Sequence, residues 1–379
     1  MQASDRTLQL ALKLTTAAVL LACLVVSLGA FTRLSHAGLG CPDWPGCYGH
    51  LTWPSSAEEV ASAEARFPES PVEQDKTWPE MVHRYCAGTL GLLVIAITLL
   101  IFRAAYRQTD DGPTPPVKHA LLICAVIVLQ ALFGMWTVTL KLWPQVVTAH
   151  LLGGFTTLTL IWLLRLRLKA LCQGQTAPVP AQRVHKGPLL AALSALAVVV
   201  LLQIALGGWT SANYAALACP DLPTCHNQWL PQTDFKAGFN IAQAIGPNYL
   251  GGQLEGPART AIHITHRAGA VLVTGLMLVC LWLLAAVPRL QRHAWGLAGL
   301  LTLQVSLGIG NVLLSLPLAI AVAHNGVAAL LLMTVLTTLY RLQVPAAVNA
   351  PGRAHSSQPN LSQSHIGGAR HEPVNQPAV

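Results

Sequence analysis

Four histidines sit at matching places in two halves of a strongly apolar chain: His83 and His150 in the first, His266 and His324 in the second. Each lies at or near the start of a long apolar run. An imidazole costs free energy there unless something pairs with it, so an ionisable side chain inside such a run points to function. Four of them, spaced as two equivalent pairs, ask for two ligands of one kind. Haem iron held between facing imidazoles meets that demand. Zinc or copper is the weaker alternative, because such sites gather their ligands more tightly and recruit Cys or carboxylates.

The neighbours of these histidines carry further chemistry. Arg84 and Arg267 follow His83 and His266 directly. An arginine at a membrane interface can simply snorkel to water, but its guanidinium also suits bidentate recognition of carboxylates such as haem propionates. Glu80 lies three residues before His83 and shares its helical face; the equivalent position in the second half is His263. Glu80 reads either as a boundary carboxylate or as a group that moves protons or stabilises charge beside one iron. His263 reads as an interfacial residue. Cys41 with Cys47 and Cys219 with Cys225 are spaced for two short disulfide loops, each a staple or a redox-active pair near the haem. Cys23, Cys86, Cys124, Cys280 and Cys172 read as reduced. No role falls to His36, His50, His119, His185, His226, His293, His355, His365 or His371.

These features recur. Gly29-Ala-Phe-Thr32 and Cys41-Pro-Asp-Trp-Pro-Gly-Cys47 return as Gly207-Gly-Trp-Thr210 and Cys219-Pro-Asp-Leu-Pro-Thr-Cys225, 178 residues on. His83-Arg84 returns as His266-Arg267, 183 residues on, and Gln130 with His150 returns as Gln304 with His324, 174 residues on. The reading is a parallel internal repeat, two tandem four-helix bundles related by a pseudo-two-fold axis along the membrane normal.

The elements that must position these residues are membrane spans. Of 379 residues, 53% are hydrophobic and 10% charged, with mean hydropathy +0.51; soluble proteins carry about 25% charged residues. Eight apolar runs are long enough to cross a bilayer as helices: Leu10–Phe31, Met81–Phe102, Val117–Leu140, Val146–Leu164, Leu189–Thr210, Ala261–Val287, Ala294–Leu316 and Leu318–Tyr340. The first continues past Ala30 without a cleavage site and reads as a retained span. Lys and Arg gather between spans two and three, four and five, and six and seven. That places both termini in the cytoplasm and the cysteine loops, Thr32–Glu80 and Ser211–Thr260, on the periplasmic or extracellular face. All four histidines then lie toward that face. The expected organisation is a half over 1–168, a linker over 169–188, a half over 189–342 and a disordered tail over 343–379. The net charge of +8 comes without a basic stripe interleaved with aromatics, so no nucleic-acid partner is expected.

Taken together, Glu80-Met-Val-His83-Arg84, the first cysteine loop, His150, His266-Arg267 and Ala323-His324-Asn325 resemble haem A synthase over about residues 15–342. The resemblance implies an oxidoreductase of bacterial inner membranes that converts the C8 methyl group of haem O to a formyl group by successive hydroxylations and loss of water. The product, haem A, serves cytochrome oxidase. It also implies that His266 and His324 are axial ligands of a haem b cofactor, that His83 and His150 line the haem O site, that Glu80 is needed for activity, and that the Cys41/Cys47 disulfide handles haem O. Implied partners are membrane lipid, the protohaem farnesyltransferase that makes haem O, and an electron donor; a homo-oligomer is compatible. The rival function is a dihaem b-type electron carrier without substrate chemistry. A transporter is disfavoured because ionisable groups are few at mid-depth in the spans.

Overall fold

The computed structural model describes residues 3–107, 114–173 and 186–343. Among them are ten α-helices and no named strand. The long helices are α1 (Ala3–Leu34), α3 (Gln74–Tyr106), α4 (Val117–Thr139), α5 (Pro144–Cys172), α6 (Lys186–Ala212), α8 (Gly256–Ala285), α9 (Gln291–Leu313) and α10 (Leu318–Gln343). All eight are long and apolar enough to cross a membrane. Two short helices, α2 (Ala57–Arg66) and α7 (Phe235–Gly238), lie in the cysteine loops.

The expected spans coincide with the eight long helices, but several helices outrun their apolar stretch. The clearest is α3, which starts at Gln74 rather than Met81. Hydropathy detects only the lipid-length part of a helix. The polar turn Gln74–Glu80 is helical too, and the carbonyl of Pro79 within it accepts from Thr32 Oγ1 at 3.3 Å. The expected linker is described only at its edges, where α5 ends at Cys172 and α6 begins at Lys186. The expected tail lies outside the described residues.

Helices α1, α3, α4 and α5 pack on one another, as do α6, α8, α9 and α10. Contacts of α1 with α10, α5 with α6 and α5 with α10 join the two groups. The main core contains Ile97, Ile101, Ile123, Phe155, Leu158, Leu193 and Leu196. Large apolar side chains such as Leu92, Val271 and Trp282 remain exposed on the outer helix faces, as a lipid-facing surface requires. The turns before α5 and α10 repeat one shape, with Lys141 and Leu142 at φ 49° and 59° and Ser315 and Leu316 at φ 58° and 62°. Each places the following histidine at the same depth, six residues after the start of its helix.

Candidate active site

Each of the four histidine rings rests on a glycine of a neighbouring helix. A methyl group added to Gly29 of α1 would come within 2.9 Å of His83 Cε1. The same addition to Gly134 of α4 meets His150 Cε1 at 3.3 Å, to Gly207 of α6 meets His266 Cε1 at 3.3 Å, and to Gly308 of α9 meets His324 Cε1 at 3.2 Å. Any larger residue would push the ring away, so the glycines set where each imidazole lies.

The first pair faces across the bundle. The His83 and His150 rings stand edge-on, with centroids 6.5 Å apart and planes at 87°. Two metal–nitrogen bonds of about 2.0–2.1 Å plus half a ring on either side come to roughly 6 Å, so this separation suits a metal shared by both rings. His266 and His324 are near enough to interact electrostatically. Nδ1 of His83, His150 and His324 is buried without a hydrogen-bond partner among the described residues. Buried polar atoms are normally satisfied, so these rings fit a ligand that takes one imidazole nitrogen and orients the other. Among the described residues no group of three or more His, Cys, Asp or Glu is placed to hold a metal ion; the histidines act in twos.

Three glutamines approach these rings. Gln130 Nε2 donates to the backbone carbonyl of His150 at 3.0 Å. Gln203 Nε2 donates to the carbonyl of His266 at 2.9 Å and lies 3.1 Å from its Nδ1. Gln304 Nε2 lies 3.2 Å from His324 Nε2.

The two cysteine loops are built alike. Cys41–Cys47 and Cys219–Cys225 are disulfides with Cα separations of 4.8 and 4.7 Å. Asp43 accepts the backbone N–H of Tyr48 at 2.6 Å and of Gly49 at 2.8 Å. Asp221 accepts the same groups of His226 at 2.7 Å and Asn227 at 3.0 Å. The Thr224 hydroxyl, helped by those amides, holds the Asp221 carboxyl below its ordinary value.

Each loop is locked to the helix that carries a histidine. The N–H of Cys41 donates to Glu80 Oε2 at 2.9 Å, and Arg84 pairs with Glu80 Oε1. Arg84 also donates to the carbonyls of Asp43 (3.0 Å), Pro45 (3.2 Å) and Gly46 (2.5 Å). In the second half the N–H of Cys219 donates to His263 Nδ1 at 3.1 Å. Arg267 donates to the carbonyls of Cys219 (2.8 Å) and Thr224 (2.9 Å), and its Nε lies 3.3 Å from His263 Nε2.

Both arginines, read from the sequence as propionate partners, thus turn onto their own loops. His263 is 4% exposed and is the counterpart of Glu80 in the clamp, not an interfacial side chain. Helix geometry explains this: positions i and i+4 share a face, whereas adjacent residues diverge by about 100°. Glu80 and Arg84 face the loop together, while His83 points elsewhere.

The second loop also reaches the first half. Tyr249 N–H donates to the Lys141 carbonyl at 3.0 Å, Trp143 Nε1 to Gln243 O at 3.1 Å and Gln145 Nε2 to Ile241 O at 2.9 Å. These bonds fix the turn from which α5 carries His150. Between the halves, Arg33 donates to the Ser211 carbonyl at 2.5 Å and lies over the Tyr214 ring at 4.3 Å, on which His36 stacks.

Comparison with known proteins places the chain. A family profile for cytochrome oxidase assembly proteins, COX15-CtaA, matches residues 13–336. The haem A synthase of Shewanella oneidensis is 46% identical over 323 residues, covering 84% of this chain and 92% of that protein. The haem A synthase of Halalkalibacterium halodurans is 26% identical over 82% of this chain and 90% of its own. That of Mesorhizobium japonicum is 28% identical over 81% and 84%.

Proposed function

Because the chain belongs to the COX15-CtaA family of cytochrome oxidase assembly proteins, we propose that it is a haem A synthase, an oxidoreductase that acts on a C–H bond of haem O. The methyl group becomes a hydroxymethyl, then a geminal diol, which loses water to leave the formyl group of haem A. The observation that carries this reading is the face-to-face placement of His83 and His150, centroids 6.5 Å apart, repeated in a second histidine pair.

In this assignment His83 and His150 hold haem O in the first half, and His266 and His324 hold haem b in the second. Haem, when bound, supplies the one-electron steps that oxidation of an unactivated methyl group needs. The residues of the chain do the rest. Gly29 and Gly134 set the depth of the substrate-site rings. Glu80 and Arg84 hold the first disulfide loop against α3, so the loop forms a wall beside His83. The packing of α5 on α6 and of α1 on α10 keeps the two sites at a fixed separation.

The protein sits in the bacterial cytoplasmic membrane with both termini inside and both cysteine loops outside. The supporting observation is that Arg103, Arg107, Arg165, Arg167, Lys169, Arg289 and Arg292 fall near helix ends opposite the cysteine loops. The two four-helix groups are pseudo-two-fold copies; the recurring left-handed turns and the alike loops support this. The protohaem farnesyltransferase supplies the substrate, and an electron donor replenishes the haem b half.

The test is expression with and without the farnesyltransferase, followed by acid extraction and mass spectrometry of the bound haems. The expected result is haem b alone without it, and haem b together with haem O, hydroxylated haem or haem A with it. Haem b alone in both cases would favour the electron carrier and overturn the assignment.

A further inference from the structure

The glycine beneath each histidine belongs to a longer pattern that is broken once. Gln130 and Gly134, Gln203 and Gly207, and Gln304 and Gly308 are each four residues apart on one helix, so each pair presents one face. The glycine accepts the imidazole ring, and the glutamine, one turn away, bonds to that same histidine's ring or carbonyl. Beneath His83 the position of the glutamine is Val25, four residues before Gly29.

The space for the glutamine is missing there as well. Gln130 fits a notch at Gly153, where an added methyl would come within 2.1 Å of its Nε2, and Gln203 fits the same notch at Gly269, within 2.1 Å of its Oε1. Both notches lie three residues after the histidine. After His83 that position is Cys86. Three imidazole-bearing segments are therefore braced by a buried amide, and no side chain braces His83 among the described residues.

We propose that Gln130, Gln203 and Gln304 are positioning residues that keep their histidines in place, and that His83, lacking a brace, is the ring that swings aside to open one face of the substrate iron. This rests on the haem A synthase reading, in which the first half binds haem O. Two fixed imidazoles would occupy both axial positions of the iron and leave no room for oxygen. One fixed and one free ring hold the substrate and still admit a small ligand. The second half, with both rings braced, keeps its haem closed and suited to electron transfer alone.

Carbon monoxide binding to the dithionite-reduced, haem-loaded protein reads this directly. Val25→Gln combined with Cys86→Gly installs the missing brace and its notch. It should slow carbon monoxide binding at the haem O site roughly fivefold to tenfold, the weight of one buried hydrogen bond, and leave the haem b spectrum unchanged. Conversely, Gln203→Val should make haem b carbon monoxide-reactive while it stays bound. Cys86→Gly alone is the control for the notch. If the double variant does not fold, the Gln203→Val arm decides. Unchanged carbon monoxide kinetics in the double variant, or an inert haem b after Gln203→Val, would overturn the proposal. A protein that still makes haem A in that case refutes only the brace; a protein that binds no haem O at all refutes the function on which it rests.

Discussion

Replacing Glu80 separates two roles that the sequence leaves together. Both its oxygens are engaged, Oε2 by the Cys41 N–H and Oε1 by Arg84, and its side chain is 6% exposed. A carboxylate so occupied holds the loop more readily than it shuttles protons. Glu80→Ala leaves the buried Cys41 N–H without its acceptor, at a cost of about 1–3 kcal/mol, and removes a charged hydrogen bond worth about 1.5–3 kcal/mol. Arg84 retains three loop carbonyls, which lowers the second figure. A net loss of about 3 kcal/mol reduces loop docking by about two orders of magnitude. The disulfide preserves the loop's own shape, so what is lost is its seat on α3. Glu80→Gln keeps an acceptor for Cys41, and Glu80→His copies His263, whose Nδ1 takes the equivalent N–H at 3.1 Å. Both should therefore retain docking to within about tenfold. The assay is haem A formed per haem b in membranes containing the farnesyltransferase, alongside amide hydrogen exchange across residues 39–49. Haem A formation should follow loop docking across the series. A Gln or His variant with a docked loop and no haem A would show that the carboxylate charge itself enters the chemistry, and the positioning argument would fail.

His266→Ala or His324→Ala should abolish the haem b Soret and α bands while far-ultraviolet circular dichroism stays unchanged; a normal haem b spectrum would remove these residues as ligands. Gly29→Leu should displace His83, whose Cε1 lies 2.9 Å from even a methyl there, and lower haem A formation more than 100-fold with haem b intact; near-normal output would contradict the glycine seat. Replacing Cys41 and Cys47 together by Ser frees the first loop and should lower haem A formation, with extracted haem O rising in proportion; unaffected turnover would make that staple dispensable. The Asp221 carboxyl titrates below its ordinary value of 3.8 because the Thr224 hydroxyl and two amides hold its charged form. Its contribution to the second loop is thus complete above about pH 4 and lost as pH falls through the lowered value. Exchange across residues 219–228 should stay slow at pH 4 and rise below it, and Asp221→Asn should flatten that rise.

The spans, the histidine pairs and the cysteine pairs were legible because each has a strong local signature. Lipid-length hydropathy marks a helix whatever it packs against, and a five-residue Cys spacing with prolines favours closure. What stayed hidden depends on which helix faces meet. Gln203 carries no mark in the sequence until Gly207, one turn on, is known to lie beneath His266. His263 and Arg267 look like interfacial polar residues until the Cys219 N–H is seen to reach His263. Arg84 adjoins His83 in sequence, which suggested a shared ligand, but adjacent helical residues point apart. The spacing that mattered was four, from Glu80 to Arg84 and from His263 to Arg267. The recurrence of Gln130 and Gln304 twenty residues before His150 and His324 was visible as a repeat; only the packing of α4 on α5 and of α9 on α10 turns it into a contact.

Two sites built on one plan can differ in chemistry through very few side chains. The glycine under each ring is constant, so ring depth is constant, and both halves present a pair of imidazoles. The differences are Val25 against Gln203, Cys86 against Gly269, and Glu80 against His263. The first two remove a brace from one ring in the first half, and the third puts an ion pair where the second half has a neutral imidazole beside Arg267. An ion pair buried with its hydrogen bonds satisfied is costly to break from one side, so the first loop is held by a charge-assisted lock next to the ring that is free to move. The fixed wall and the loose ligand belong to one site: if His83 moves during turnover, the surface against which it moves must stay still. In the second half neither requirement arises, and a neutral clamp suffices.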